Sequence, residues 1–369
     1  MRILLYGPSY LPATGGMEIH MRELAGALAK AGAEVAIATQ QQGETDPKEP
    51  CPVHRWPMVR LPKGERLLQW RLARRLASLH RSFPFDVLHA HSIFPGAFLA
   101  SRACRLLHIP LVATCHGDNL IPNHHGCLNW LDHERPRAFV QQAMAACQCI
   151  IIPTPDVTDI LRPWAPPGLR FETIPYGQEP HHSRPQGAPK AAHGRRTIVA
   201  IARNDPQKMI PWMIDEMRPL LETHRDYHLT IIGRGHEAKA AALAGNPQVS
   251  FPGILPHDQA LNLLASADLL VCPSSWEMFP LAVTEALGLG IPVVGRNTIG
   301  IRHLVQDHVN GLLFDDGSGM RAAMERILGD RDLWQKLSEG ALANPRSIPW
   351  KESAERHLEL YRSLLKGPG

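Results

Sequence analysis

Short apolar runs recur along this chain, and a helical pattern follows nearly every one of them. RILLYG, EVAIAT, DVLHAH, LVATCHG, CIIIPTP and ETIPYG occupy the first half; TIVAIAR, HLTIIG, VSFPG, LLVCPS, IPVVGR and GLLF occupy the second. Strands that alternate with helices must run parallel and be covered on both faces, because each return crossing is made by a helix. After the first run, Met17, Met21, Leu24 and Leu28 fall on one face at helical spacing. The alternation breaks at residues 179–196, EPHHSRPQGAPKAAHGRR, which is proline-rich and has no apolar period. That is linker chemistry. The fold class expected is α/β, with two Rossmann-like, doubly wound parallel-sheet domains at 1–178 and 197–349 and a last helix within 350–369.

Composition narrows the class. At 369 residues each half can bury its own core, and 44% hydrophobic with 20% charged residues describes a folded globular chain. A net charge of +4 is too mild for a nucleic-acid binder. The N-terminal apolar run is too short for a secretion signal, and no stretch approaches the roughly eighteen apolar residues of a membrane span. Seven cysteines without framework spacing fit a reducing compartment, so a cytoplasmic location is expected.

The chemistry concentrates at EMFPLAVTE, where Glu277 and Glu285 stand eight positions apart. An apolar strand precedes the segment and an apolar helix begins within it. Free N–H groups at such a helix start, together with its dipole, make an anion site. Read as continuous helix, the spacing would put both carboxylates on one face, as acceptors for hydroxyls. Arg203 and Lys208, in ARNDPQK after another strand, supply two cations able to clamp a diphosphate and stabilise charge on a leaving group. Gly15 and Gly16 precede a helix and permit close approach of backbone to a phosphate or sugar. His116 ends the strand LVATC. Gly233 and Gly235 in IIGRGHEAKA would fit a dinucleotide fingerprint. They open neither domain, however, and no acidic residue ends the next strand to hold a ribose. A turn bordering a nucleobase pocket, with Arg234 facing it, fits better.

With Glu277-x7-Glu285 followed by ALGLGIPVVG and LVQDHVNGLLF, the chain resembles the retaining glycosyltransferases of the GT-B fold, family 4, from about Arg2 to Tyr361. The resemblance implies two domains facing across a cleft and a last helix that returns to the first domain. It implies transfer of a sugar, with retention and without metal, from a nucleotide-diphosphate donor to a hydroxyl acceptor. By position, Glu285 would hold the ribose, Glu277 a donor-sugar hydroxyl, and His116 the donor sugar itself. The Gly15–Gly16 loop would cover the diphosphate, and Ile254 would meet the base through its backbone. The amides around Phe279, Pro280 and Leu281 would join Arg203 and Lys208 on the diphosphate. Met209 and Pro280 stand where relatives often have glycine.

Residues 63–81 carry six Lys or Arg against one Glu, with Leu68, Leu72, Leu76 and Leu79 as an apolar stripe. The helix suits packing on a sheet, or peripheral contact with anionic lipid through Arg71, Arg74 and Arg75. A glycan or glycolipid precursor, as in polysaccharide or lipopolysaccharide biosynthesis, is the expected acceptor. His124, His125 and Cys127, and then Cys147 and Cys149, lack the paired spacing of a zinc site, so no metal and no cofactor is expected. A sugar-nucleotide epimerase of the same fold and a silent binding subunit are the alternatives.

Overall fold

The computed structural model describes residues 1–13, 15–56, 64–117, 120, 129–179, 195–243 and 245–366. The described residues up to Glu179 form one compact unit with those from Ser347 onward, and those from Arg195 to Arg346 form a second.

In the first unit, β1 (Arg2–Gly7), β2 (Glu34–Thr39), β3 (Val53–Arg55), β4 (Val87–Ala90), β5 (Leu111–Thr114), β6 (Cys149–Ile152) and β7 (Arg170–Thr173) make one sheet. Its order is β3-β2-β1-β4-β5-β6-β7, and every pairing is parallel. A short strand β8 (Gly177–Gln178) follows outside that sheet. In the second unit, β9 (Arg196–Ile201), β10 (Tyr227–Ile232), β11 (Val249–Gly253), β12 (Leu269–Cys272), β13 (Val293–Arg296) and β14 (Gly311–Phe314) pair in the order β11-β10-β9-β12-β13-β14. These pairings are parallel too. Finally β15 (Ile348–Pro349) lies parallel to β8. In each large sheet the order reverses beside the first strand, the place where doubly wound sheets bind ligands. All six expected strands of the second half are present. In the first half, ETIPYG divides into the end of β7 and the start of β8. The edge strand β3 was not foreseen, because Val-His-Arg at intermediate burial carries no apolar period.

Helix Gly16–Lys30 buries Met21, Leu24 and Leu28 completely, whereas Met17 is half-buried. Those side chains share a core with Ala354, Leu358 and Tyr361 of the last helix, Trp350–Leu365. Burying each leucine contributes about 1.5–3 kcal/mol. A buried polar chain also ties that helix to the sheet. Tyr361 Oη lies 2.7 Å from His89 Nδ1 on β4, and His89 Nε2 lies 2.7 Å from Thr114 Oγ1 on β5. In helix Glu65–Ser82, Leu68, Leu72, Leu76 and Leu79 are buried, while Arg71, Arg74, Arg75 and Trp70 are exposed. Among the described residues no helix is long and apolar enough to cross a membrane.

His357 of the last helix is buried, and its Nδ1–H donates to the Ser353 carbonyl at 2.7 Å. Burial pulls its pKa down to about 4, against the small upward pull of that bond. The unfolded chain, near 6.5, therefore binds the proton more readily. This contribution to stability is complete above pH ~6.5 and is lost as pH falls toward 4, at up to ~1.4 kcal/mol per pH unit. Chemical denaturation at pH 7 and at pH 4.5 should show a smaller acid loss in His357→Gln than in wild type, by about 2 kcal/mol. Equal losses would remove His357 from the acid sensitivity.

Candidate active site

At the reversal point of the second sheet, neighbouring strands β9 and β12 deliver two loops to the same edge. After β9 the chain makes a 3-10 turn, Pro206–Lys208, and Met209 then takes a left-handed φ of 55° before helix Ile210–Thr223. A non-glycine residue pays roughly 1–2 kcal/mol for that conformation. It is a conformation that glycine adopts without that cost. The turn presents Lys208 Nζ to Glu277 Oε1 at 2.5 Å, with side chains only 19% and 10% exposed. The loops are joined by backbone as well: Ser275 N–H donates to the Gln207 carbonyl at 2.8 Å, and Glu277 N–H to the Ile299 carbonyl at 3.1 Å. Gly300 (φ 75°) lets the Glu277 loop lie close, because a Cβ there would stand 2.0 Å from the Glu277 carbonyl oxygen.

Helix Leu281–Gly288 begins just past Glu277, after Pro280. The N–H groups of Val283 and Thr284 reach the Pro280 carbonyl, and the first two helical amides have no carbonyl in a preceding turn to bond. Lys208, Glu277, Pro280 and Leu281 line a cavity of about 80 Å³. That is far below the ~300 Å³ of a whole ligand pocket, so it suits one end of a ligand. Glu285, further along the helix, has Oε1 2.9 Å from His257 Nε2 and a side chain 17% exposed. Arg203 does not join the Lys208 pair; it bonds Asp205 of its own loop at 2.9 Å and is half exposed. Gly233, at the end of β10, takes φ 146°, and a Cβ there would stand 1.9 Å from the Ala202 carbonyl oxygen. This glycine serves close backbone packing between strand ends. Arg234 is exposed, and so is Ile254, at 70%.

The corresponding edge of the first unit is built from neutral rings. His91 follows β4, where its N–H donates to the Tyr6 carbonyl at 2.7 Å. His91 Nδ1 lies 3.2 Å from His116 Nε2, and His116 Nδ1 meets the Tyr176 hydroxyl. His20 of helix Gly16–Lys30 lies within ring-contact range of both histidines and of Tyr176. Burial lowers the pKa of His116 to about 3 and drives His20 and His91 well below the usual range. His116 is therefore a neutral hydrogen-bonding group at pH 7. Gly15 caps the same helix in an extended conformation, and among the described residues its would-be Cβ meets the Glu18 carboxylate, at 2.6 Å. Gly16 has open space where a Cβ would go.

The family described as Glycosyltransferase Family 4 matches residues 14–182, and that described as Glycosyl transferases group 1 matches residues 186–343. The chain belongs to family 4 of the GT-B glycosyltransferases. It is 25% identical to a glycogen synthase of Mycobacterium tuberculosis, covering 100% of this chain and 96% of the relative. It is 27% identical to a D-inositol 3-phosphate glycosyltransferase of Paenarthrobacter aurescens, covering 96% and 94%. In fold it is similar to Anabaena Alr3699/HepE in complex with UDP-glucose, with TM-score 0.78, 17% identity and coverage of 98% and 100%.

In this glycosyltransferase the helix begins at Leu281, as LAVTEALGLG implied, and Glu277 and Glu285 share no continuous helix face. Glu277 is a loop residue, and the two carboxylates have separate partners, Lys208 and His257. Nothing in the sequence pairs Lys208 with Glu277, 69 positions away, because strand order makes that contact. His257, Gly300, His20, His91 and Tyr176 carried no motif. Of the expected metal-poor clusters, His124, His125 and Cys127 lie outside the described residues, and Cys147 and Cys149 are buried in the core.

Removing one partner of the Lys208–Glu277 pair strands a charge in a poorly solvated place. Lys208→Met should destabilise by about 3 kcal/mol, and the double variant Lys208→Met/Glu277→Leu by clearly less. Denaturant titration of the four members of this cycle checks it; additive losses would mean the pair is not coupled.

Proposed function

We propose that this enzyme is a retaining glycosyltransferase that takes a sugar from a nucleotide-diphosphate donor and attaches it to a hydroxyl of a glycan or glycolipid precursor. The observation that carries this reading is the Lys208–Glu277 pair beside the start of helix Leu281–Gly288, at the reversal point of the second sheet. A cation, a carboxylate and a helix N-terminus at one edge match the diphosphate and the sugar hydroxyls of such a donor. The fold it shares with a protein that binds UDP-glucose supports the same class of donor.

In this reading Lys208 neutralises the departing diphosphate, assisted by Arg203 and the amides of Phe279 and Leu281. Losing one such preorganised donor costs about 2.7–4 kcal/mol of transition-state stabilisation. Pro280 contributes no N–H. Glu277, relieved of part of its pairing with Lys208, accepts from a donor-sugar hydroxyl. Glu285 accepts from the ribose, Arg234 and Ile254 border the base, and neutral His116 contacts the sugar. Gly15 and Gly16 admit the diphosphate. The incoming hydroxyl attacks the face from which the phosphate departs, and the leaving phosphate oxygen takes its proton, so no metal is required.

Purified protein incubated with uridine, guanosine, adenosine and thymidine diphosphate sugars should release nucleoside diphosphate from one of them. Glu285→Ala and Lys208→Ala should each reduce release by about a hundredfold or more. Isomerised donor without release would replace transfer by epimerisation. A product of opposite anomeric configuration, read by NMR, would overturn retention.

The exposed Arg71, Arg74 and Arg75, with Trp70 beneath the Arg74 guanidinium at 4.9 Å, support peripheral contact with an anionic bilayer on the cytoplasmic face. Each near-surface cation contributes about 1 kcal/mol. Replacing all three arginines with glutamine should therefore weaken sedimentation with phosphatidylglycerol vesicles by roughly a hundredfold. Unchanged sedimentation would remove the helix from membrane contact.

A further inference from the structure

We propose that His20, His91 and His116 form a binding site for one divalent cation of the zinc class. Among the described residues these three bring one ring nitrogen each to within 4.8 Å of one another. They come from separate places in the first unit: helix Gly16–Lys30, the residue after β4, and the second residue after β5. No sequence spacing announces such a set.

The geometry is close to that of an ion site. Zinc–nitrogen bonds of about 2.0–2.1 Å in a tetrahedron place neighbouring ligand nitrogens ~3.3 Å apart. His91 Nδ1 and His116 Nε2 already stand at 3.2 Å. The widest edge of the trio needs to close by at most about 1.5 Å to match. His116 has its other nitrogen engaged by the Tyr176 hydroxyl, the outer-shell contact that fixes ring orientation in imidazole–metal sites.

His20 supplies the second, independent observation. It is 2% exposed, and among the described residues neither of its ring nitrogens has a hydrogen-bond partner. An imidazole buried with both nitrogens unsatisfied is costly, and native interiors seldom tolerate one without a reason. Three imidazoles converging in one buried place offer the ring nitrogens that an ion of borderline softness takes. All-imidazole ligands favour zinc, cobalt, nickel or copper over magnesium or calcium. Such an ion stands outside the transfer chemistry proposed above. Resting on that reading, one consequence follows: an ion held by His116 competes with the donor sugar, so zinc inhibits transfer.

The test uses the full chain, freed of metal by chelation and dialysed against Zn²⁺ alone or Co²⁺ alone near neutral pH. The expected result is one bound ion per chain and, for Co²⁺, the intense visible absorption of a four-coordinate site. Binding should weaken by more than about tenfold in His20→Gln and in His91→Gln. It should persist in His308→Gln, whose ring is on the surface. Circular dichroism establishes that each variant is folded. Should either variant unfold, the wild-type Co²⁺ spectrum decides, because six-coordinate absorption or none overturns the site. Equal affinity in wild type and both folded variants overturns it too, by assigning the ion to other residues. The readout does not need turnover, so failure here leaves the transfer reading intact.

Discussion

Both sheets are all parallel, and in each the strand order reverses beside the first strand. Nearly everything functional depends on that constraint. Parallel strands release all their following loops at one edge, and the reversal sends successive crossings to opposite faces, so two adjacent loops diverge and leave space between them. In the second unit the loops after β9 and β12 flank this space, which is why Lys208 meets Glu277 there. The same edge receives the start of helix Leu281–Gly288 and the Gly300 turn, and each is held by backbone contacts. A charged pair at such a place is less a stabilising device than a poised one. Its members gain little over apolar packing; in the proposed function each exchanges part of that pairing for a group of the donor.

The first unit repeats the topology and fills the edge with different chemistry. There the side chains are His20, His91 and His116, buried and kept neutral by desolvation. Opposite charges in one unit and buried imidazoles in the other suit ligands of different chemistry. The scaffold under the imidazoles is rigid. His89 bridges Tyr361 and Thr114, tying the returning helix to two strands, and Tyr176 orients His116.

How much was legible beforehand depended on the range of the signal. The strands of the second half and the helix after Gly16 were readable because their apolar period is local and strong. The Val-His-Arg edge strand has no such period and was not. Met209 departs from the glycine pattern in residue type, yet it takes φ 55°, a conformation open to glycine. The helix start at Leu281 was legible in LAVTEALGLG, but Glu277 lies in the loop before it, and the partners of Glu277 and Glu285 come from elsewhere.

The sequence by itself determined the alternation of strand and helix, the α/β fold class with two parallel sheets, and the charged residue types that follow the strands of the second half. These follow from periodicity and side-chain chemistry, which act over a few residues. Only the tertiary structure decided which groups meet. Lys208 and Glu277 are 69 positions apart, His91 and His116 are 25 apart, and Tyr361 reaches His89 across 272. Contacts of that kind are set by strand order and by helices packing on sheets. They depend on the burial of the whole core, and no local pattern records them.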